Sequence, residues 1–231
     1  MLARFYEPTK HKYEICIDEA GRGCLFGHVY VACVVLPKDE NAFPGENIKD
    51  SKKFTSKKKI NAVANTIKEH ALFSHVTSLN SAEVDNLNIL QAVMVGMHKC
   101  IRETIAHFQQ KDPALTIDDF AALIDGNYFK PYNVFDPARE MFISLESHTF
   151  EKGDGRYMGI AAAGILAKTS RDQYVLGLCD QHPELVTKYG LHTNKGYATK
   201  THREGILEHG ITQWHRKSYA PCKGHMERLI I

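Results

Sequence analysis

A chain of 231 residues, 43% hydrophobic and 24% charged, has the composition of an ordinary globular protein and is too apolar to be disordered by default. Its longest apolar runs, such as VYVACVVL at 29–36, fall far short of the about 18 residues a membrane-spanning helix needs, so no membrane crossing is expected. The net charge of +2 hides a segregation: residues 49–59 carry +5, residues 188–223 another +5, and the remainder −8.

Such segregation suits a polyanion such as nucleic acid, although a lysine run is also what the solvated face of a helix looks like. The six cysteines are scattered without a C-x-x-C pair and no secretory signal opens the chain, which points to a reducing, cytoplasmic compartment.

In chain order, residues 13–19 and 28–36 are rich in Ile, Val, Tyr and Cys and predict two strands joined as a hairpin by a glycine-rich turn. Residues 55–70 predict a helix capped by Thr55 or Ser56, and 71–79 a short strand. The next helix, 88–108, repeats Ile89, Val93, Met97, Ile101 and Ile105 at four-residue spacing, one buried face. AALIDG at 121–126 predicts a strand ending on Asp125, and MFISLES at 141–147 another. The small-residue run from Met158 to Cys179 reads as a buried helix with Asp172 well inside it. A last helix spans 200–209, capped by Thr199 and stopped by Gly210. Together these predict an α/β fold: a mixed sheet with helices over 1–184, then a small helical subdomain at 185–231.

The segment CIDEAGRGCLFG at 16–27 places two acids at the tip of an apolar strand, directly before the glycine turn. A dinucleotide-binding turn wants G-x-G-x-x-G opening a helix; here Gly21, Gly23 and Gly27 are out of register and a strand follows. Carboxylates at strand ends are instead how hard cations such as Mg²⁺ are held beside substrate phosphates. Asp18, Glu19, Asp125 and Asp172 are the four acids in otherwise apolar elements, and an isolated buried carboxylate must be paired, liganded or exposed. Each also has a plain explanation: a strand-end Asp forms turns, and Asp172 has Arg171 and Lys168 beside it.

IDEAGRG (17–23), DSKK (50–53), DNLNILQA (85–92), IDGN (124–127), GIAAAGILAKTSRD (159–172), NKGYATKTH (194–202) and HRKSYAPC (215–222) together resemble ribonuclease HII, in that family's order and across about residues 13–222. The resemblance implies a ribonuclease H-like fold, a mixed β-sheet flanked by helices, with a helical C-terminal part. It implies that Asp18, Glu19, Asp125 and Asp172 hold two Mg²⁺ or Mn²⁺ ions. The implied activity is hydrolysis of the RNA strand of RNA–DNA hybrids and cutting 5′ to single ribonucleotides in duplex DNA, leaving 5′-phosphate and 3′-hydroxyl ends. Gly21, Arg22 and Gly23 match the turn that reads the 2′-OH, the group separating RNA from DNA. Tyr197 matches the tyrosine at the RNA–DNA junction, while Lys52, Lys53, Arg216 and Lys217 are expected on phosphates, and His215 or Ser218 in structural roles.

Cys24, Phe26 and His28 stand where the family usually has proline and alanine after the turn, as in GRGPLAGPV, and Ala198 replaces a second glycine, which leaves substrate preference more open than the reaction. The expected state is a monomer with no sliding-clamp peptide in the terminal MERLII, and without the N-terminal substrate-binding domain of ribonuclease HIII. A silent nucleic-acid binder on this fold would be expected to lose an acid, and all four are present; a DNA nuclease would not need the GRG turn and Tyr197.

Overall fold

The computed structural model describes residues 2–136 and 139–228. The end of MERLII, residues 229–231, lies outside the described residues, and the sliding-clamp expectation with it. The elements run β1 (Tyr13–Ala20), β2 (Val29–Val35), α1 (Lys57–His70), β3 (Phe73–Leu79), α2 (Ser81–Leu87), α3 (Ile89–Lys111) and β4 (Phe120–Asp125). Then follow β5 (Asn133–Asp136), β6 (Met141–Ser144), β7 (Glu146–Phe150), α4 (Met158–Gln181), α5 (Glu184–Tyr189), α6 (Leu191–Asn194) and α7 (Lys200–His209). A five-stranded sheet has the order β3-β2-β1-β4-β7, and β5 and β6 form a separate antiparallel ribbon. No helix among the described residues is long and apolar enough to cross a membrane, and all six cysteines are buried and unpaired.

The chain divides into two compact units: residues 1–19, 31–77 and 94–169, and residues 20–30, 78–93 and 170–231. Residues 185–231 fall in the second unit, together with the glycine turn, α2 and the second half of α4. Sequence order hides this, since the second unit is assembled from three separate stretches.

The first unit centres on β1 and β4, whose Ile15, Ile17, Phe120 and Leu123 are fully buried. Strands covered on both faces read as continuous apolar runs, as these do. They are parallel, with Cys16 opposite Leu123 and Ile17 opposite Ile124, so Asp18 and Asp125 each follow the last matched pair at the same end of the sheet. β7 runs parallel to β4, bringing Phe150 opposite Asp125, and the Gly153–Gly155 turn of 3-10 helix comes three residues later. The segment expected as one strand at 141–147 is broken at Leu145 into β6, which pairs with β5, and β7, which joins the main sheet. α3 buries Val93, Met97, Ile101 and Ile105 as its spacing predicts. The second unit packs Leu25, Phe26, Val175, Cys179, Leu185, Tyr189, Leu191 and Ile206 into a core of its own.

Candidate active site

In the first unit, Asp18 is 7% exposed and surrounded by acids. Burial pushes its carboxyl well above the usual carboxylate range, and Glu19, Asp125 and Asp154 push the same way; the Glu19 N–H, donated to its Oδ1 at 2.7 Å, opposes them. Room for this carboxylate is made by α4, because a Cβ on Gly164 would stand 2.2 Å from Asp18 Oδ2. Asp125 is also raised, first by burial and then by Asp154, against the N–H groups of Gly153 (2.7 Å) and Asp154 (3.4 Å) donated to its Oδ1. Lys52 Nζ lies 3.6 Å from Asp154 Oδ2. Desolvation alone would lower this ammonium, but Asp154, Asp50, Asp18 and Asp125 outweigh it and hold the group above its usual value. Lys53 is exposed on the same 3-10 turn, which Asp50 caps through the Lys52 N–H at 2.9 Å.

Like-charged neighbours raise Asp18 and Asp125, and no three of these acids place donor atoms within 4.8 Å of one another. Every donor is a carboxylate oxygen, a set that fits a hard divalent ion such as Mg²⁺ or Mn²⁺.

In the second unit the glycine turn is braced by two buried arginines, Arg171 (1% exposed) and Arg216 (0%). Gly21 has φ +95°, and a Cβ there would stand 2.3 Å from Arg171 Nε, so the position is closed to any side chain. Arg216 Nη1 donates to the carbonyls of Gly21 (2.8 Å) and Arg22 (3.0 Å), and its Nε to Gly27 (3.1 Å). Tyr219 Oη donates to the Arg22 carbonyl at 2.6 Å. Arg171 Nη2 donates to the carbonyls of Lys195 (2.7 Å) and Phe26 (3.3 Å). Arg171 Nη1 lies 3.9 Å from Asp172 Oδ1. Both guanidiniums thus act chiefly on backbone carbonyls in and around the turn.

Tyr197 is 48% exposed, with its ring 5.6 Å from Arg171 Cζ. Its carbonyl is held by a histidine relay whose tautomers the hydrogen bonds dictate. The Thr212 N–H donates to His215 Nδ1 (2.9 Å), so His215 carries its proton on Nε2 and donates it to His202 Nε2 (3.0 Å). His202 then keeps its proton on Nδ1 for the Tyr197 carbonyl (2.9 Å). Burial lowers both rings, His215 to about 3, which keeps the pair neutral.

The structure thus groups Asp18, Glu19 and Asp125 with Lys52 and Lys53 in one unit, and Gly21, Arg22, Gly23, Asp172, Tyr197, Arg216 and Lys217 in the other. Arg216 faces the turn's carbonyls rather than solvent. The Lys217 ammonium pairs with Glu227 at 2.5 Å, while its N–H and those of Ser218 hold Asp85. Phe26 is core, edge-on to His215 at 5.1 Å, and the His28 ring packs tilted against Tyr174 at 4.2 Å. Sequence reasoning missed Asp154, Gly164 and Arg171. The signal for Asp154 was available in KGDG, an acid between two glycines just after a strand; the other two declare themselves only through what they touch.

The Ribonuclease HII family profile matches residues 15–222. A ribonuclease HII of Bacteroides thetaiotaomicron is 40% identical over 211 residues, covering 91% of each chain. Among solved structures, the PCNA:RNase HII complex from Archaeoglobus fulgidus matches with a TM-score of 0.62 at 23% identity, over 90% of this chain and 95% of that one. Bst-RNase HIII in complex with Mn²⁺ matches with a TM-score of 0.64 at 17% identity, over 93% of this chain and 69% of that one. At such identities the two structures establish a shared fold, the ribonuclease H-type mixed sheet with helices.

Proposed function

Because the chain belongs to the ribonuclease HII family, and so to the RNase H-type nucleases, we propose that it hydrolyses the RNA strand of RNA–DNA hybrids and cuts 5′ to single ribonucleotides embedded in duplex DNA. The products are 5′-phosphate and 3′-hydroxyl ends, and the role is removal of ribonucleotides and replication primers from DNA in the cytoplasm. The observation that carries this reading is the acid cluster around buried Asp18, where carboxyls are held out of water against their own charge. Raised carboxyl pKa values with named like-charged neighbours mark functional sites more often than structural ones.

Asp18, Glu19, Asp125 and Asp172 are the residues that would hold two Mg²⁺ or Mn²⁺ ions, with Asp172 assigned by its RD motif. Bound there, the ions supply activation of water and stabilisation of the leaving oxygen in an in-line displacement at phosphorus. The protein supplies position. Gly164 leaves Asp18 its place, and the N–H groups of Gly153 and Asp154 aim Asp125. The turn Gly21–Gly23, without side chains at its two glycines, allows main chain to meet a ribose 2′-OH, and Arg216 fixes that turn by its carbonyls. Arg216 therefore acts on substrate through the turn, Tyr197 contacts the sugars at the junction, and Lys52, Lys53 and Lys217 meet phosphates.

Incubation with Mg²⁺ or Mn²⁺ and a duplex DNA carrying one ribonucleotide, beside an all-DNA duplex, tests the proposal. The expected result is a nick 5′ to the ribonucleotide that Asp18→Asn and Asp125→Asn abolish. Folded protein that cuts neither duplex with either metal, or cuts both equally, would overturn it.

A further inference from the structure

Outside the acid cluster, one trio among the described residues has ligand atoms within 4.8 Å of one another: Glu7, His11 and Glu146. His11 precedes β1, its side chain is 7% exposed, and it lies against Glu146 at the start of β7. Its Nδ1 is 3.2 Å from the Asp118 carbonyl, which can only accept, so Nδ1 carries the proton. His11 Nε2 faces Glu146 Oε2 at 3.3 Å, an ion pair when the ring is protonated and a lone pair offered to a metal when it is not. In the deprotonated ring Nε2 and Oε2 are two acceptors facing each other, a pair that a metal ion can bridge. A histidine that donates one ring N–H to a backbone carbonyl and aims the other nitrogen at carboxylates is the arrangement that orients an imidazole for a metal.

We propose that Glu7, His11 and Glu146 form a second metal site, taking a divalent transition ion of the Zn²⁺ or Co²⁺ kind and tying the segment before β1 to β7. One imidazole with two carboxylates favours such ions over Mg²⁺, which is held by oxygen donors alone. Glu146 Oε1 accepts from Lys10 and His148, which leaves Oε2 facing His11. The cation now at these acids is the Lys10 ammonium, 2.6 Å from Glu146 Oε1 and 3.3 Å from Glu7 Oε2. His148 Nε2 lies 2.8 Å from the same Glu146 Oε1, and Glu14 takes the N–H groups of Tyr6 and Glu7. Lys10 is half-exposed and free to swing into solvent, so the entering ion displaces it while His148 stays on the far oxygen.

Lys10 makes the proposal testable without unfolding the protein. In the full chain carrying Asp18→Asn and Asp125→Asn, which disable the acid cluster, Co²⁺ is titrated by visible absorption and Zn²⁺ by calorimetry. One equivalent should bind and raise the melting temperature, His11→Gln should abolish binding, and Glu7→Gln should weaken it. Lys10→Ala should tighten binding by roughly tenfold or more, since it removes a unit charge at about 4 Å or closer. No stoichiometric binding, binding that survives His11→Gln, or binding that Lys10→Ala leaves unchanged would each overturn the site. Circular dichroism of His11→Gln separates loss of the ligand from loss of the fold, and the exposed Lys10 variant reads out the site even if His11→Gln unfolds. Nuclease activity plays no part in the readout.

Discussion

Replacing Gly164 by alanine adds one methyl group to α4 and aims it at Asp18. The new Cβ would stand 2.2 Å from Oδ2 and 3.3 Å from Cγ, whereas real Cβ contacts essentially never fall below 3.0 Å, so something must shift by about 0.8 Å. The backbone on both sides is confined: Ala163 and Ile165 on α4 are fully buried, and Ile17 beside Asp18 on β1 is too. The shift therefore falls on the carboxylate, whose Oδ1 is held by the Glu19 N–H. Overpacking of this size costs about 1–3 kcal/mol. Alanine in place of glycine inside a helix returns about 1 kcal/mol, so the net loss of stability is about 0–2 kcal/mol. At about 2–4 °C per kcal/mol for a chain of this size, the melting temperature drops by only a few degrees. A misplacement near 1 Å at the chemistry costs about 10²-fold in rate, so kcat should fall far more than stability does. Cleavage of the single-ribonucleotide duplex, measured beside a thermal melt, reads both. Gly177 is the control on the same helix, since a Cβ there meets nothing within 4 Å. Gly177→Ala should stabilise by up to about 1 kcal/mol with activity unchanged. A Gly164→Ala enzyme with parental kcat would refute the claim that this glycine makes room for the acid.

Asp18→Asn should raise the melting temperature of metal-free protein at neutral pH. The folded pKa of Asp18 lies above its unfolded value, so its ionisation penalises the native state as pH rises through that interval, and the gain should vanish as pH falls toward about 4. An asparagine variant no more stable than the parent at neutral pH would contradict the direction of that shift. Arg216→Lys keeps the charge but loses the fork across the Gly21, Arg22 and Gly27 carbonyls; at about 1–3 kcal/mol per buried group left unmatched, destabilisation of several kcal/mol with a raised KM is expected, and a parental melt refutes the brace. Tyr197→Ala should hurt cleavage at a single ribonucleotide more than cleavage of a long hybrid, and equal losses in a side-by-side assay would count against a junction role. If the two basic stretches neutralise phosphates, the logarithm of binding affinity should fall linearly with that of salt concentration, and a flat response measured by anisotropy refutes their use.

Much of the fold was legible because periodicity is local. α7 with its Thr199 cap, the buried face of α3 and the strand ending on Asp125 all follow from spacing within one element. What spacing could not supply is partnership across the sequence. MFISLES looks like one strand until Leu145 divides it between two sheets. α2 is short, and its boundary with α3 is a single left-handed Asn88 at φ 63°. The acids on β1 and β4 could be named from their strand ends, whereas their shared end of the sheet is a matter of parallel register, which no single strand contains. Arg216 shows the same limit from the other side: beside Lys217 it reads as one more surface cation, and only its burial against residues nearly two hundred positions earlier makes it a brace.

Each unit buries charged groups, which is costly in itself. In the first, Asp18 is buried with Glu19, Asp125 and Asp154 as like-charged neighbours, and α4 gives up helix stability at Gly164 to keep it there. A fold selected for stability alone would place apolar side chains at such positions, because a desolvated carboxylate beside others is unfavourable. Lys52, with its side chain 80% exposed, lies 3.6 Å from Asp154. In the second unit, two guanidiniums are spent on carbonyls around a turn that has no side chain at Gly21 or Gly23. On the proposed function a divalent metal ion would answer the first unit's acids, so their burial costs stability in the metal-free protein.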